Sequence, residues 1–441
     1  MRAGLVAAPL TVLLLVIAVA NCTTEFDPSL LQSFRRDAAA AADAANLGGC
    51  TDGTRALPGD TPEACGQGGA QCRACPLATP YCAMGRCVVE RGVVALSATG
   101  TVTAVVDRVG ALWTFGSNRT GQLGLGPVSG DRQLPGIRVP GGVRAVNVGG
   151  DFDGHGCLIG SDGGLACWGA NFNNESGQPT KGPVLSPTRL GDGNDWRSVS
   201  LGTAFGCGLR GAGSLSCWGW NGSGRLASTT AEYSPEPVPV GAPIKWKSVS
   251  AGIDFACAIG ADDAVYCWGS SEEGRLGGAA TSPAPSPIAS TVPFAAVSAG
   301  SAHACAIAMD GSLWCWGRAV EGQLGTSGGA STPTRVSAEG AWASVSAGGQ
   351  HTCALKSDRT LWCWGAGTVG QLGLDTVTGA PLPTRVGERN DWSLVAAGTK
   401  HTCGATDDGA LYCWGDNREG EAGYATGEAE KRVPTRIALT P

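Results

Sequence analysis

Six cysteine pairs recur along the chain, each ten positions apart, and each second cysteine is followed by Trp-Gly. The pairs are Cys157 and Cys167, Cys207 and Cys217, Cys257 and Cys267, Cys305 and Cys315, Cys353 and Cys363, and Cys403 and Cys413. Regularity of this kind does not arise from an irregular catalytic pocket. It means one small structural unit copied along the chain, each copy pinned by its own crosslink.

The copies extend from 93 to 437. The closing Gly of the Trp-Gly or Phe-Gly step falls at Gly116, Gly169, Gly219, Gly269, Gly317, Gly365 and Gly415, at intervals of 53, 50, 50, 48, 48 and 50, which makes seven copies. In the first copy Ala104 and Thr114 stand where the others carry cysteine. Both cysteines are missing together, as a bonded pair requires. Within each unit, stretches such as Val-Ser-Ala-Gly, His-Thr-Cys-Ala-Leu and Leu-Trp-Cys-Trp are of β type. A turn signal separates the last two, at Asp162-Gly163, Asp310-Gly311 and Asp408-Gly409. Cysteines at i and i+10 of a hairpin oppose each other if the turn has an odd number of residues. A three-residue turn with Gly in the left-handed conformation meets that condition. At a non-hydrogen-bonded site the Cα atoms then lie roughly 4.5–5.5 Å apart, within reach of a disulfide. Each such loop is worth roughly 2.7 kcal/mol in the chain-entropy description.

The units resemble the repeats of the regulator-of-chromosome-condensation family. The clearest copy carries His351-Thr352, Leu361-Trp-Cys-Trp-Gly365, Gly370-Gln-Leu-Gly373 and Pro383-Thr-Arg-Val386; His401-Thr402 and Leu411 to Gly415 match again, and the first unit has Gly121-Gln-Leu-Gly124. The resemblance implies an all-β fold, a seven-bladed β-propeller of four-stranded blades around a central channel. Ring closure would bury the apolar face that no unit can bury alone and remove both raw ends. The strand near Val93 to Ala98 is expected beside the C-terminal strand near Thr435 to Leu439.

The remaining cysteines divide the N-terminal part. Residues 1–21 read as a signal peptide, with Arg2 followed by the apolar stretch Leu5 to Val19, too short to span a bilayer comfortably. Val19-Ala20-Asn21-Cys22 resembles a lipobox, in which Cys22 is lipidated and becomes the mature N-terminus; Asn21 departs from the small residue usual there. The alternative is ordinary secretion with cleavage after Ala18-Val19-Ala20. Lipidation leaves eighteen of nineteen cysteines to pair, whereas plain secretion leaves a free thiol at Cys22. Either route delivers the chain to a compartment where disulfides persist. Residues 22–49 read as a flexible tether. Residues 50–87 hold Cys50, Cys65, Cys72, Cys75, Cys82 and Cys87 in a Gly-rich segment too poor in large apolar residues to build a core. Three disulfides are expected there in preference to a zinc knuckle on Cys72 and Cys75, with all fifteen connectivities open.

Composition narrows the partners. Net charge is −6 and only 15% of residues are charged, with no basic stretch to neutralise a phosphate backbone, so no nucleic acid is expected. Membrane contact is expected only through a lipid at Cys22. Few charges and 70 glycines suit tight turns between short strands.

Candidate chemistry is sparse. All four histidines, His155, His303, His351 and His401, occupy the position two before the first cysteine, where Phe205 and Phe255 stand in two other copies. A position that accepts His or Phe is for packing and hydrogen bonding. Trp168, Trp218, Trp268, Trp316, Trp364 and Trp414 recur likewise and are expected between neighbouring blades. A ligand site should break the repeat. Three places do. Asp151-Phe-Asp153-Gly-His155 has too few oxygens for a calcium loop and reads as a solvated turn. The stretch from Glu419 to Arg432 reads as a solvated edge. Trp220 replaces a small or polar residue. No catalytic residue, metal site or cofactor is expected. The leading expectation is a rigid monomeric scaffold on the cell surface that binds a protein or envelope ligand through rim loops. A secreted inhibitor of an extracellular enzyme is the alternative, since a bacterial β-lactamase inhibitor has a similar propeller. Nucleotide exchange on a small GTPase follows only from the family name, and an envelope hydrolase would need an irregular acid pair that the sequence does not offer.

Overall fold

A computed structural model describes residues 50–51, 56–57, 80–83, 86–89, 92–127, 132–133, 142–150, 153–229, 232–279, 283–336, 341–424 and 427–439. The chain divides into two compact units, Met1–Glu90 and Arg91–Pro441. In the first, Cys50–Thr51 pairs with Ala56–Leu57 and Pro80–Ala83 with Arg86–Val89, and the second register sets Cys82 opposite Cys87. Cys22, Cys65, Cys72 and Cys75, together with the expected signal peptide and tether, lie outside the described residues.

The second unit is a propeller of seven four-stranded antiparallel sheets. Blade 1 runs from Val93 to Gln133, blade 2 from Val143 to Arg189, blade 3 from Trp196 to Pro239, blade 4 from Trp246 to Pro287, blade 5 from Phe294 to Arg335, blade 6 from Trp342 to Arg385 and blade 7 from Trp392 to Ile437. Blade 6 shows how the sequence makes one. Its first strand, Trp342–Ala347, starts with a buried Trp and continues in small residues that face the ring axis. The middle strands, His351–Lys356 and Leu361–Gly365, are buried almost throughout, which their Cys, Ala, Leu and Trp content allows. The outer strand, Ala380–Arg385, is largely exposed and carries Pro383, tolerated because an edge strand has an unpaired side.

In blades 2 to 7 the two middle strands form a hairpin closed by a disulfide. In blade 2 Gly160 N–H donates to Gly164 O and Gly163 holds φ +78°, the left-handed turn the spacing predicts. Counting the ladder back from that bonded pair puts Cys157 opposite Cys167 at a non-hydrogen-bonded site. The same register sets Cys207 opposite Cys217, Cys257 opposite Cys267, Cys305 opposite Cys315, Cys353 opposite Cys363 and Cys403 opposite Cys413. Cys157 is bonded to Cys167, Cys207 to Cys217, Cys257 to Cys267, Cys305 to Cys315, Cys353 to Cys363 and Cys403 to Cys413, each within its own hairpin. All twelve cysteines are fully buried. One detail corrects the expected geometry: the Cα separations are 4.0–4.1 Å, closer than the cross-strand spacing predicts, because the crosslink draws the two strands together. Ala104 and Thr114 of blade 1 oppose each other in the same register.

The apolar core lies between blades. Cys353, Leu355, Leu361 and Cys363 of blade 6 pack with Trp392 and Trp414 of blade 7, and comparable clusters fill the other interfaces. Closure differs from the sequence expectation. Val93–Thr99 pairs only with Val102–Asp107 of its own blade, and the C-terminal strand Glu430–Ile437 is the outer strand of blade 7, paired with Leu411–Asp416. The repeat begins at the innermost strand, so every blade is built from contiguous chain and none is shared by the two ends. Blade 1 meets blade 7 through the Val93 N–H, which donates to Gly409 O at 2.8 Å, and through side chains: Val93 and Val105 share a buried cluster with Leu411, Ile437 and Leu439.

Candidate functional site

Each second strand begins opposite the end of the third, as His351 does opposite Gly365. The loops joining first to second and third to fourth strands therefore share one face of the ring. That face carries the motif residues, and most of them are used to hold blades together.

A Gly-x-x-Gly loop, replaced by Asn174-Glu-Ser-Gly177 in blade 2 and Gly224-Arg-Leu-Ala227 in blade 3, presents a backbone carbonyl from each blade to the next. The indole N–H of Trp168, Trp218, Trp268, Trp316, Trp364 and Trp414 donates to Gln122, Glu175, Arg225, Arg275, Gln323 and Gln371 O at 2.9–3.1 Å. A left-handed residue closes the loop and permits the approach, Gly in every blade but the third, where Ala227 holds φ +54°. A Cβ on Gly373, which has φ +70°, would lie 2.9 Å from Trp414 Nε1. The Trp residues thus sit between blades as expected.

The histidines do the same work. His303, His351 and His401 meet Thr352, Thr402 and Thr103 of the following blade, each Nε2 to Oγ1 at 2.8 Å. The Thr352, Thr402 and Thr103 hydroxyls donate in turn to Gln323, Gln371 and Glu421 O. Since each hydroxyl proton is spent on a carbonyl, the imidazole must be the donor, which fixes the Nε2–H tautomer and leaves Nδ1 without a partner. Burial lowers these pKa values, to about 4 for His303 and about 3 for His351 and His401. His155 faces Gly206 in place of a Thr, has neither ring nitrogen bonded, and is lowered to about 4 by the same cause. None of the four reaches solvent, their exposures being 0–1%.

A third device lines the axis. Ser97, Asn147, Ser200, Ser250, Ser298 and Ser346 accept a backbone N–H from the next blade at 2.8–3.1 Å. They border a central cavity of about 210 Å³ with no charged side chain in its wall. Blade 7 has Ala396 there, and blade 1 has Phe115 in the Trp position, so the closing interface lacks both bonds. Arg119 of blade 1 instead pairs with Glu419 of blade 7 at 2.9 Å.

This corrects the expected solvated edge from Glu419 to Arg432. Lys431 pairs with Glu428 and Arg432 with Glu430 at the surface, but Glu419 ties the seam and Glu421 is buried. Burial, with Asp416 and Glu419 nearby, pushes the Glu421 carboxyl up to about 7. Asp151 lies outside the described residues, and Asp153 is exposed. Among the described residues no group of three or more His, Cys, Asp or Glu is placed to hold a metal ion.

Besides those at the seam between blades 7 and 1, breaks in the repeat lie on the loop face of blades 2 to 5. Phe172 is 45% and Val320 79% exposed. Where other blades have Gln or Glu at the second position of this loop, blades 3 and 4 have Arg225 and Arg275, both buried. These are the blades with Phe205 and Phe255 in the His position, and each guanidinium lies over its Phe ring, at 5.6 and 6.0 Å. The sequence reading missed this pair of substitutions; the signal was that Phe and Arg change together. Arg275 is neutralised by Asp254 at 2.5 Å and by Glu273 at 3.3 Å, and Glu273 also bonds Arg318, which binds Glu321 at 2.8 Å. Arg225 instead donates to Gly222 O and Thr203 O and stacks on half-buried Trp220 at 4.3 Å. Trp220 is thus in part a cover for Arg225.

Human WBSCR16 is similar in structure, with 19% identity over 77% of this chain and 92% of that one and a TM-score of 0.66. Prp20p of Saccharomyces cerevisiae, described with its binding to Gsp1p and histones, gives 19% identity over 79% and 87% with a TM-score of 0.66. At these identities the likeness concerns the fold. No curated protein matches significantly. A family model described as an RCC1-like domain matches residues 141–440, blades 2 to 7. With well over half the chain matched and all seven blades in place, the chain belongs to the RCC1-like domain family, whose propellers are mainly interaction scaffolds.

Proposed function

We propose that the chain is an exported, lipid-anchored, monomeric scaffold that binds a protein or envelope ligand with the loop face of its ring and performs no chemistry of its own. The observation that carries this reading is the one-sidedness of the repeat breaks. Phe172, Trp220, Arg225, Arg275 and Val320 depart from the repeat on one face, while the buried motif residues beneath them fix that face rigidly. Exposed apolar residues on a stiff surface favour partner binding, because little conformational freedom is lost on docking. Six disulfides fit an oxidising, extracytoplasmic environment, and the apolar segment ending at Cys22 supports export with lipidation.

Two measurements test it. Mass spectrometry of the N-terminal peptide from membranes should find acylated Cys22; a free Asn21 N-terminus would refute the anchor. Crosslinked capture from envelope extract should fall in Phe172→Ala with Val320→Ala and persist in Val109→Ala with Met309→Ala, exposed residues on the opposite face. Equal capture by both pairs would refute the loop-face assignment.

A further inference from the structure

We infer that Arg225 is a receptor for a carboxylate, supplied by an aspartate or glutamate side chain of the protein that docks on the loop face. The inference deepens the loop-face reading and rests on it.

Blades 3 and 4 provide the comparison. In blade 4 the Arg275 guanidinium, 5% exposed, is bonded by Asp254 from the loop joining the first two strands of the same blade. In blade 3 Arg225 is 4% exposed, and Ala204 stands at the place of Asp254. Its Nε and Nη1 each reach a carbonyl, and among the described residues Nη2 has no protein partner and no carboxylate lies within ion-pair distance. Asp254 is the carboxylate whose charge it feels, and that group is already held by Arg275. A buried cation without its counter-ion is costly, and a fold that supplies one for Arg275 and omits it for Arg225 leaves room for an external one. A guanidinium edge suits a carboxylate through paired N–H donors. Trp220 forms one wall at 4.3 Å, and the carbonyl of Thr203, which borders the central cavity, holds the guanidinium in place. Trp and Arg are also the residue types that dominate protein–protein contacts.

The test uses the full chain, disulfides intact and labelled with nitrogen-15, titrated with N-acetyl-aspartate methylamide while arginine Nε–H resonances are followed. N-acetyl-asparagine methylamide is the neutral control. The Arg225 resonance, identified by its loss in Arg225→Gln, should move saturably with the acid and not with the amide. Ala204→Asp should weaken the response, because it adds a competing carboxylate to the loop whose Thr203 O the guanidinium contacts. Ala204 has φ +62°, a conformation Asp tolerates better than Ala, so this variant should fold. No movement with the acid, equal movement with the amide, or an unchanged response in Ala204→Asp overturns the receptor. In envelope capture, Ala204→Asp should weaken the captured protein roughly ten-fold or more. Undiminished capture overturns the carboxylate contact and leaves the loop-face reading intact. No capture by the parent chain, with Arg225 still responding, overturns the docking partner and leaves the receptor standing. An acidic glycan retained in place of a protein overturns the assignment to a protein.

Discussion

Blades 5 and 6 contain the same pentapeptide, Leu-Trp-Cys-Trp-Gly, at 313–317 and 361–365, yet replacing the second Trp by Phe should cost different amounts. Both indoles are fully buried and donate to a loop carbonyl of the preceding blade, Trp316 to Arg275 O at 3.0 Å and Trp364 to Gln323 O at 2.9 Å. Gln323 O also accepts from Thr352 Oγ1 at 2.8 Å, whereas blade 5 has Ala304 at that position. A carbonyl has two lone pairs, so Gln323 O keeps a donor when the indole is removed and Arg275 O keeps none. Volume loss is the same in both variants and cancels in the difference. What remains is the desolvation of one orphaned buried carbonyl, so Trp316→Phe should be about 1–2 kcal/mol worse than Trp364→Phe. Adding Ala304→Thr to Trp316→Phe should recover most of that gap. The seam already holds this combination, with Phe115 in the Trp position and Thr103 donating to Glu421 O. The assay is equilibrium urea unfolding without reductant, followed by fluorescence and circular dichroism together to check for a single transition. Equal destabilisation of the two variants, or no recovery with Ala304→Thr, would refute the shared-carbonyl argument.

Ala104→Cys with Thr114→Cys should form a seventh crosslink in blade 1. The roughly 2.7 kcal/mol of loop entropy, less about 1 kcal/mol for the Thr114–Leu123 O hydrogen bond it removes, gives a gain that disappears under reductant. Persistent free thiols by titration would show the register to be wrong. Stability should decline as pH falls from 6.5 toward 3 or 4: buried His303, His351 and His401 have folded pKa values below the unfolded 6.5, so the unfolded chain takes up protons first, and the contribution is whole only above pH 6.5. His351→Phe, the residue blades 3 and 4 carry, should flatten that decline by up to about 1.4 kcal/mol per pH unit in urea titrations; an unchanged slope counts against a buried neutral imidazole. Glu421→Gln should act in the opposite sense. A carboxyl raised to about 7 stabilises below pH 4.5 and loses that contribution as pH rises through 7, so the variant should gain on the order of 2 kcal/mol at pH 8 and nothing near pH 4.5. No difference at pH 8 would place the group in water.

The contents of a blade were legible in the chain because they are local. Cysteines ten apart, the Asp-Gly turn and the alternation of small, apolar and edge-tolerant residues act within about fifty residues of their own copy, and repetition multiplies a weak signal seven-fold. Trp220 could be marked as a departure for the same reason. What only the tertiary structure decided lies across blade boundaries. The His401–Thr103 contact joins residues 298 apart, and Arg225 appears an ordinary polar substitution until Phe205 is under it and a counterpart of Asp254 is missing beside it. Closure was settled there too: which strand is innermost depends on where the apolar faces of successive blades meet, a property of packing between copies that no single copy contains.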